Sequence, residues 1–167
     1  MTSCGLKPSP EALDVRPAKQ TEWEELRQIV HDAVADERSA YDAVQTAAWA
    51  AHVPDADEWT KRIENQTVIV ATRSSNVVGF MTLKGDGLLD LAFIHPQHQR
   101  TGVFRSLYKA IVAAARDQGI ERLETKASLN ACQPFRAMGF DIIEREKATL
   151  DGVTLERFRM QQRLSPT

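Results

Sequence analysis

The chain has 167 residues, of which 43% are hydrophobic and 26% are charged, and its formal net charge is −2. This length and composition fit one globular domain with its own hydrophobic core. The near-neutral charge argues against the strongly basic proteins that coat nucleic acids, and no apolar run reaches membrane-spanning length. We therefore expect neither a nucleic-acid partner nor a membrane partner.

The N-terminal segment indicates where the domain begins, and the cysteines indicate its redox setting. Residues 1–12 contain two prolines and several small polar residues, which predicts a flexible leader before a single domain over 13–163. The leader carries no apolar signal core. Cys4 and Cys132 are too few for a disulfide framework, so we expect a reducing, cytoplasmic setting.

The first part of the domain is predicted to be one strand followed by three helices. Residues 13–17 alternate as in a short strand. The pattern Thr21-x-x-Glu24 is a capping box, and the apolar stripe that follows it indicates a helix. A second helix is predicted over 40–51, and Asp55 is the predicted cap of a third.

Segments rich in β-branched and apolar residues dominate the second part of the domain. Gly79 is a candidate bulge, Gly119 a candidate C-cap, and Asp151-Gly152 a hairpin turn. The predicted strands are 67–72, 77–84, 88–94, 121–127, 140–150 and 153–160, and the predicted helices are a long one that opens at Gly102 and a short one over 130–138.

The junction between the strand at 88–94 and the helix that opens at Gly102 has the features of a phosphate site. Free backbone N–H groups and the positive end of the helix dipole would point at one spot there. The loop is neither a Walker sequence nor a Rossmann fingerprint, since the required lysine and spaced glycines are missing. A glycine that merely starts a helix is the structural alternative.

The segment Gln99-Arg100-Thr101-Gly102-Val103-Phe104 resembles the pyrophosphate loop of the GNAT superfamily of N-acetyltransferases. That pattern is Gln/Arg-x-x-Gly-x-Gly/Ala between a strand and a long helix, and Phe104 stands where a small residue is usual. The order of elements over 13–163 and the Gly139-Phe140 pair are also similar to the family. The resemblance implies an α/β (α+β) fold with a mixed, mostly antiparallel central sheet flanked by helices.

The resemblance also implies acetyl-CoA as the cosubstrate. In the family, exposed backbone groups of the strand before the loop bind the pantetheine arm, and the loop wraps the pyrophosphate. By position, the arm would contact Phe93, Ile94 and His95, the pyrophosphate would contact Gln99, Arg100, Thr101, Gly102, Val103, Phe104 and Arg105, and Asn130 would add a further cofactor contact.

Acetyl transfer to an amine requires a proton acceptor, because a free alkylamine with a pKa of about 10.4 is protonated at neutral pH. Asp90 is the first candidate, since it lies in an apolar strand and the family often carries an acidic base there. The alternative is a solvent-facing Asp near the start of the strand. His95 and His98 are further candidates, because a neutral imidazole accepts a proton near pH 7.

The general acid that is common in the family is missing from this sequence. A Tyr often precedes the final Gly-Phe by four residues, and here Phe135 occupies that position. Water or another hydroxyl would then protonate the leaving thiolate, or no acid is needed. Cys132 could suggest a covalent route through an acetyl-cysteine. No paired base is visible beside it, however, and a small core residue is the simpler interpretation.

Tyr41, Gln45 and Trp49 are spaced four apart and share one helix face, which makes them candidates for the acceptor pocket. Ordinary core packing is the alternative, above all for Trp49. This spacing is also similar to the YafP-like bacterial branch of the family. Neither His31 nor His52 shows metal-ligand spacing, so we expect no structural metal.

Together these features predict an acetyl-CoA-dependent N-acetyltransferase that transfers an acetyl group to a primary amine of a small molecule, directly and within a ternary complex. The alternative is a catalytically silent acyl-CoA-binding sensor or interaction module with the same fold, which the missing Tyr and the unusual Phe104 would fit. An enzyme that uses the loop for a nucleotide phosphate ranks last. The sequence leaves the acceptor amine open and is compatible with a monomer or a homodimer.

Overall fold

The structure is a computed structural model that describes residues 12–36 and 38–166. The predicted leader over 1–12, apart from Ala12, lies outside the described residues. The strands are β1 (Asp14–Pro17), β2 (Thr67–Arg73), β3 (Asn76–Leu83), β4 (Leu89–Ile94), β5 (Arg122–Ser128), β6 (Asp141–Leu150) and β7 (Val153–Arg163). The helices are α1 (Trp23–Val34), α2 (Ala43–Ala51), α3 (Ala56–Ile63), α4 (Val103–Asp117) and α5 (Cys132–Ala137). This succession of elements confirms the predicted order.

The strands form two antiparallel sheets that meet along one parallel contact. The first sheet has the order β1-β2-β3-β4 and the second the order β5-β7-β6. They join where Leu88 pairs in parallel with Glu124, whose N–H donates to the Gly87 carbonyl at 3.0 Å. The Thr125 hydroxyl adds a bond to the Leu89 carbonyl at 3.0 Å. The predicted mixed, mostly antiparallel sheet flanked by helices is confirmed.

The parallel contact between β4 and β5 stops at its first residues. No ladder pair joins the two strands beyond this point in the described part of the chain, and a cavity lined by both strands lies there. The edge of β4 that faces β5 therefore keeps backbone hydrogen-bonding groups without a neighbouring strand.

The core lies on both faces of the first sheet. On one face, Ile69 and Met81 pack with the buried stripe of α4. On the other face, Val70 and Phe80 pack with α1 and α3. Burial of each such large apolar side chain contributes about 1.5–3 kcal/mol. None of the helices in the described residues combines the length and the apolar character that a membrane crossing requires.

Two helix starts differ from the prediction in the side chains that bond the backbone there. The capping box predicted at Thr21 does not form, and a 3-10 turn over Gln20–Glu22 leads into α1. There the Glu22 carboxylate accepts the Lys19 N–H at 2.7 Å. Helix α2 begins at residue 43 and not at 40, because the Asp42 side chain caps it.

The predicted caps and turns elsewhere are confirmed. Asp55 accepts the Glu58 N–H at 2.9 Å and caps α3. Gly119 follows α4 with a φ of 74°, the left-handed conformation of a C-cap glycine. Asp151 and Gly152 form the β6–β7 turn with φ of 48° and 78°, as a type I′ hairpin requires.

The bulge expected at Gly79 lies beside it. The ladder between β2 and β3 shifts at Ala71, which leaves Val78 without a cross-strand partner. Glycine at position 79 also allows a close approach, since a Cβ there would lie 2.8 Å from Cδ1 of Ile94 and 3.1 Å from the Phe93 carbonyl oxygen. This close approach sets the position of the end of β4, from which the candidate site begins.

Candidate active site

Strand β4, a short loop and helix α4 form the first half of the site. On α4, Val103, Leu107 and Ile111 are almost fully buried in the core, so packing fixes the direction in which the helix begins. Gly102 caps the helix with a φ of 85°, and Arg100 has a φ of 61°. The loop thus turns sharply between the end of the strand and the first turn of the helix.

The backbone N–H groups of residues 102–105 point to a place for an anion. In the described part of the protein these groups have no hydrogen-bond acceptor, and the first helical bond runs from Ser106 N–H to the Gly102 carbonyl at 3.2 Å. The open N–H groups and the positive end of the helix dipole together favour a phosphate group. A Cβ at Gly102 would meet nothing within 4 Å, so the protein leaves room there.

The bulky Phe104 does not crowd this loop. Its ring packs edge-on against Phe135, with the ring centroids 5.0 Å apart. Phe135 in turn lies 5.0 Å from the ring of Phe140 and is almost fully buried. Phe104, which stands at the position of the usual small residue, therefore packs against the core.

The second half of the site is the cavity between β4 and β5, which has a volume of about 380 Å³. The end of α2, the α2–α3 loop and the β6–β7 hairpin also contribute lining residues. Most of its lining is apolar. Among its lining residues are Tyr41, Trp49, His52, Val53, Arg62, Asp90, Phe93, Ser128, Leu150, Leu155, Glu156 and Arg157.

Asp90 lines this cavity and is held in a network of donors. Arg62 donates through Nε and Nη2 to the two carboxylate oxygens, each at 3.1 Å, and Gln66 donates to Oδ2 at 2.9 Å. Burial alone would raise the pKa of Asp90, but the hydrogen bonds from Arg62 and Gln66 outweigh it and lower the pKa below its usual value. Asp90 is thus ionised at neutral pH, and its basicity is reduced.

Residues 36–162 match the family model of the acetyltransferase (GNAT) domain. The chain belongs to the GNAT family of acetyltransferases. It is an acyltransferase, and acetyl-CoA is its cosubstrate. No curated protein matches the sequence.

Solved structures of GNAT proteins share the fold over nearly the whole chain. A GCN5-related N-acetyltransferase from Rhodopseudomonas palustris is 27% identical with a TM-score of 0.84, over 93% of this chain and 97% of that one. The putative acetyltransferase yncA from Salmonella typhimurium, solved with its cofactor acetyl-CoA, is 19% identical with a TM-score of 0.71, over 93% and 96%. The PaiA N-acetyltransferase from Thermoplasma acidophilum, in complex with coenzyme A, is 13% identical with a TM-score of 0.70, over 92% and 99%.

In this GNAT enzyme the three predicted acceptor residues lie at or just before α2, and two of them, Tyr41 and Gln45, bond to β7. The Tyr41 ring lines the cavity, and burial raises the pKa of its hydroxyl. Trp49 also lines the cavity, edge-on to Tyr41 at 5.5 Å and 6.2 Å from Phe93. Gln45 is not among the lining residues, and its amide donates to the Thr154 carbonyl at 3.0 Å.

The loop residues predicted to contact the cofactor are also engaged with the protein itself. The Asn130 side chain accepts the Ala40 N–H at 2.7 Å and donates to the Ser39 hydroxyl at 3.0 Å. Gln99 turns back and donates to the Ile94 carbonyl at 3.4 Å. These bonds occupy the side chains of Asn130 and Gln99, whereas Arg100 and Arg105 are exposed.

The two histidines that were considered as bases lie in the loop. His95 Nδ1 accepts the Gln97 N–H at 3.2 Å, and its Nε2 lies 3.7 Å from the Asp32 carboxylate. His98 Nδ1 lies 3.1 Å from Nη1 of Arg73 and accepts its hydrogen bond. Neither histidine is among the residues that line the cavity.

Sequence reasoning missed His52, which caps the end of α2 and lines the cavity. Its Nδ1 lies 2.8 Å from the Ala48 carbonyl, which can only accept, so Nδ1 carries the proton. Nε2 lies 3.6 Å from the Asp151 carboxylate at the tip of the β6–β7 hairpin. The one signal in the sequence was its spacing of three residues from Trp49 on the same helix face.

Proposed function

We propose that this enzyme transfers the acetyl group of acetyl-CoA to a primary amine of a small molecule, directly and within a ternary complex. The observation that carries the proposal is the continuity of two features along β4. The cavity lies beside the strand, and the row of open N–H groups over 102–105 follows after one short loop. A cofactor whose pyrophosphate sits on the loop can lay its thioester arm along β4 into the cavity.

The open edge of β4 supports the proposed pantetheine contacts of Phe93, Ile94 and His95. On its other edge, β4 pairs with β3, and the His95 N–H donates to the Val78 carbonyl at 2.8 Å. The edge that faces β5 has no strand partner beyond residue 89 among the described residues. The amide groups of a pantetheine arm can bond to such an edge as an added strand would.

The volume and lining of the cavity favour a small acceptor over a macromolecular one. Its volume of about 380 Å³ is typical of a small-molecule pocket. Aromatic side chains of Trp49 and Phe93 provide apolar contact, and Asp90 lies on the same lining. An ammonium group entering the cavity is attracted by the aromatic faces and by that carboxylate, whose charge is partly offset by its ion pair with Arg62.

Asp90 is the proposed proton acceptor for the amine. Since its oxygens already accept three N–H bonds, the proton would pass through a water molecule. His52 is the second candidate, because its proton on Nδ1 leaves the lone pair of Nε2 available to accept. No protein acid is assigned to the leaving thiolate, and water protonates it.

The experiment that tests this function is a panel of small primary amines incubated with enzyme and acetyl-CoA. Release of free thiol is followed with time, and the N-acetyl product is identified by mass spectrometry. We expect thiol release that depends on the amine and yields one acetylated product per thiol. Binding of acetyl-CoA without acetyl transfer to any primary amine would contradict the proposal.

A further inference from the structure

We infer that Arg73 is a positioning residue for the cofactor: its guanidinium holds the loop in the shape that presents open backbone N–H groups to the pyrophosphate of acetyl-CoA. This inference rests on the proposed assignment of residues 99–105 to the pyrophosphate. Arg73 is the last residue of β2, 25 residues before His98 and 28 before Thr101. It lies outside the sequence motif that resembles the family.

The contacts of Arg73 tie two loop residues together. Nη1 donates to Nδ1 of His98 at 3.1 Å and to Oγ1 of Thr101 at 3.0 Å, while Nη2 donates to the Thr101 carbonyl at 3.1 Å. The Thr101 hydroxyl in turn donates to the His98 carbonyl at 2.5 Å. A planar guanidinium fork reaches all three acceptors at once, which a single ammonium group on a lysine cannot do.

The loop needs such a clamp because its own backbone bonds are few. Arg100 and Gly102, on either side of Thr101, both have positive φ. The N–H groups of residues 102–105 have no acceptor in the described part of the protein, so they add nothing to the stability of the turn. A backbone in sparsely populated conformations persists only where surrounding contacts enforce it, and the bonds from Arg73 do so on Thr101.

The position of Arg73 is itself fixed by the β2–β3 hairpin. Ser74 and Ser75 form its turn with φ of 48° and 66°, as in a type I′ turn. The bulge at Val78, just after this turn, shifts the ladder between β2 and β3. The same Val78 accepts the His95 N–H at 2.8 Å, so the hairpin that carries Arg73 also holds the start of the loop.

Holding the loop before the cofactor arrives lowers the ordering cost of binding. Arg73 is therefore expected to act on cofactor affinity and not on the chemical step, which takes place in the cavity. Without the clamp the loop samples other conformations, and the N–H groups no longer converge on one phosphate position.

The test compares Arg73→Met, Arg73→Lys and Thr101→Val with the parent enzyme. Arg163→Met is the matched control, since it removes one positive charge from an exposed arginine of the second sheet. Calorimetric titration gives the Kd for acetyl-CoA, steady-state kinetics give KM and kcat, and thermal unfolding without ligand reports on folding. Binding by the parent is measured first, and it is independent of whether an acceptor amine has been found.

We expect Arg73→Met to raise the Kd and the KM for acetyl-CoA by about tenfold or more, with kcat within twofold of the parent. Arg73→Lys should restore little, and Thr101→Val should give an intermediate loss. The control should bind like the parent. A Kd for Arg73→Met within twofold of the parent would overturn the inference.

The remaining outcomes are equally decisive. Full rescue by Lys would show that Arg73 acts through its charge alone, and the clamp would be wrong. If Arg73→Met does not fold, Thr101→Val still removes the hydroxyl at the centre of the clamp, and unchanged binding by that variant would contradict it. A parent that binds acetyl-CoA but transfers no acetyl group refutes the proposed function while leaving the clamp testable by binding.

Discussion

The hydroxyl of Tyr41 donates a hydrogen bond of 2.5 Å to the backbone carbonyl of Glu156, 115 residues later in the chain. The same oxygen accepts the N–H of Leu129 at 3.0 Å, and the side chain is almost fully buried. Tyr41 thereby joins the segment just before α2 to β7 and to the loop after β5. All three segments surround the cavity, so one side chain fixes their spacing.

Replacing Tyr41 with Phe is expected to destabilise the fold by about 1–3 kcal/mol, because the substitution leaves the Leu129 N–H and the Glu156 carbonyl without partners. The acceptor amine should also bind more weakly, since the cavity wall loses its anchor. Urea unfolding measures the first effect, and the KM for the amine measures the second.

Gln45→Ala provides the comparison, because it removes two partly exposed bonds, one from α2 to the Thr154 carbonyl of β7 and one from the Asp42 N–H at the start of the helix. We expect that loss to cost less than about 1 kcal/mol. Equal unfolding free energies for Tyr41→Phe and the parent would show that the two buried bonds contribute nothing.

Asp90→Asn is expected to lower kcat/KM for the amine by about 10²–10⁴ at neutral pH while leaving the Kd for acetyl-CoA unchanged. The amide keeps the size of the side chain but removes the negative charge and most of the basicity. The rate of thiol release gives kcat/KM for the amine, and calorimetric titration gives the Kd for acetyl-CoA.

His52→Gln is the parallel variant that distinguishes the two proton acceptors. If Asp90→Asn retains parental kcat/KM and His52→Gln loses it, the proton goes to the imidazole. If the losses are reversed, Asp90 is the base. Full activity in both variants would remove both residues from the reaction.

The network around Asp90 predicts how its contribution to stability depends on pH. Because hydrogen bonds from Arg62 and Gln66 lower the pKa of Asp90 below its unfolded value, its stabilising contribution is present above the unfolded pKa of about 3.9. That contribution is lost as the pH falls through the lowered pKa of the folded state. The difference in unfolding free energy between the parent and Asp90→Asn should therefore shrink as the pH falls below about 4, and a difference that grows instead would contradict this reasoning.

Gly102→Glu is expected to abolish binding of acetyl-CoA, since it adds bulk and negative charge beside the proposed pyrophosphate. Gly102 has a φ of 85°, so any side chain there also strains the backbone. Gly102→Ala is the matched control for that strain, with an expected cost of about 1 kcal/mol in folding and weakened but measurable binding. Titration of acetyl-CoA into both variants tests this, and tight binding by the Glu variant would contradict the phosphate assignment.

Much of the fold was predictable because local patterns determine it. The buried stripe of α4, the Asp55 cap and the Asp151-Gly152 turn are each encoded within a few residues, and each was confirmed. The start of α1 was not predicted correctly. There the Glu22 carboxylate bonds to Lys19 and Arg16, and the local sequence does not favour this arrangement over a capping box at Thr21.

The sequence by itself determined the order of elements, the glycine loop before α4 and, through them, the family and its cosubstrate. Only the tertiary structure decided which side chains surround the site. The bonds from Arg62 to Asp90, from Arg73 to Thr101 and from Tyr41 to Glu156 join residues 28, 28 and 115 positions apart. Such pairs leave no periodic signal, because they form only when separate elements pack, and their charges, protonation states and geometry follow from that packing.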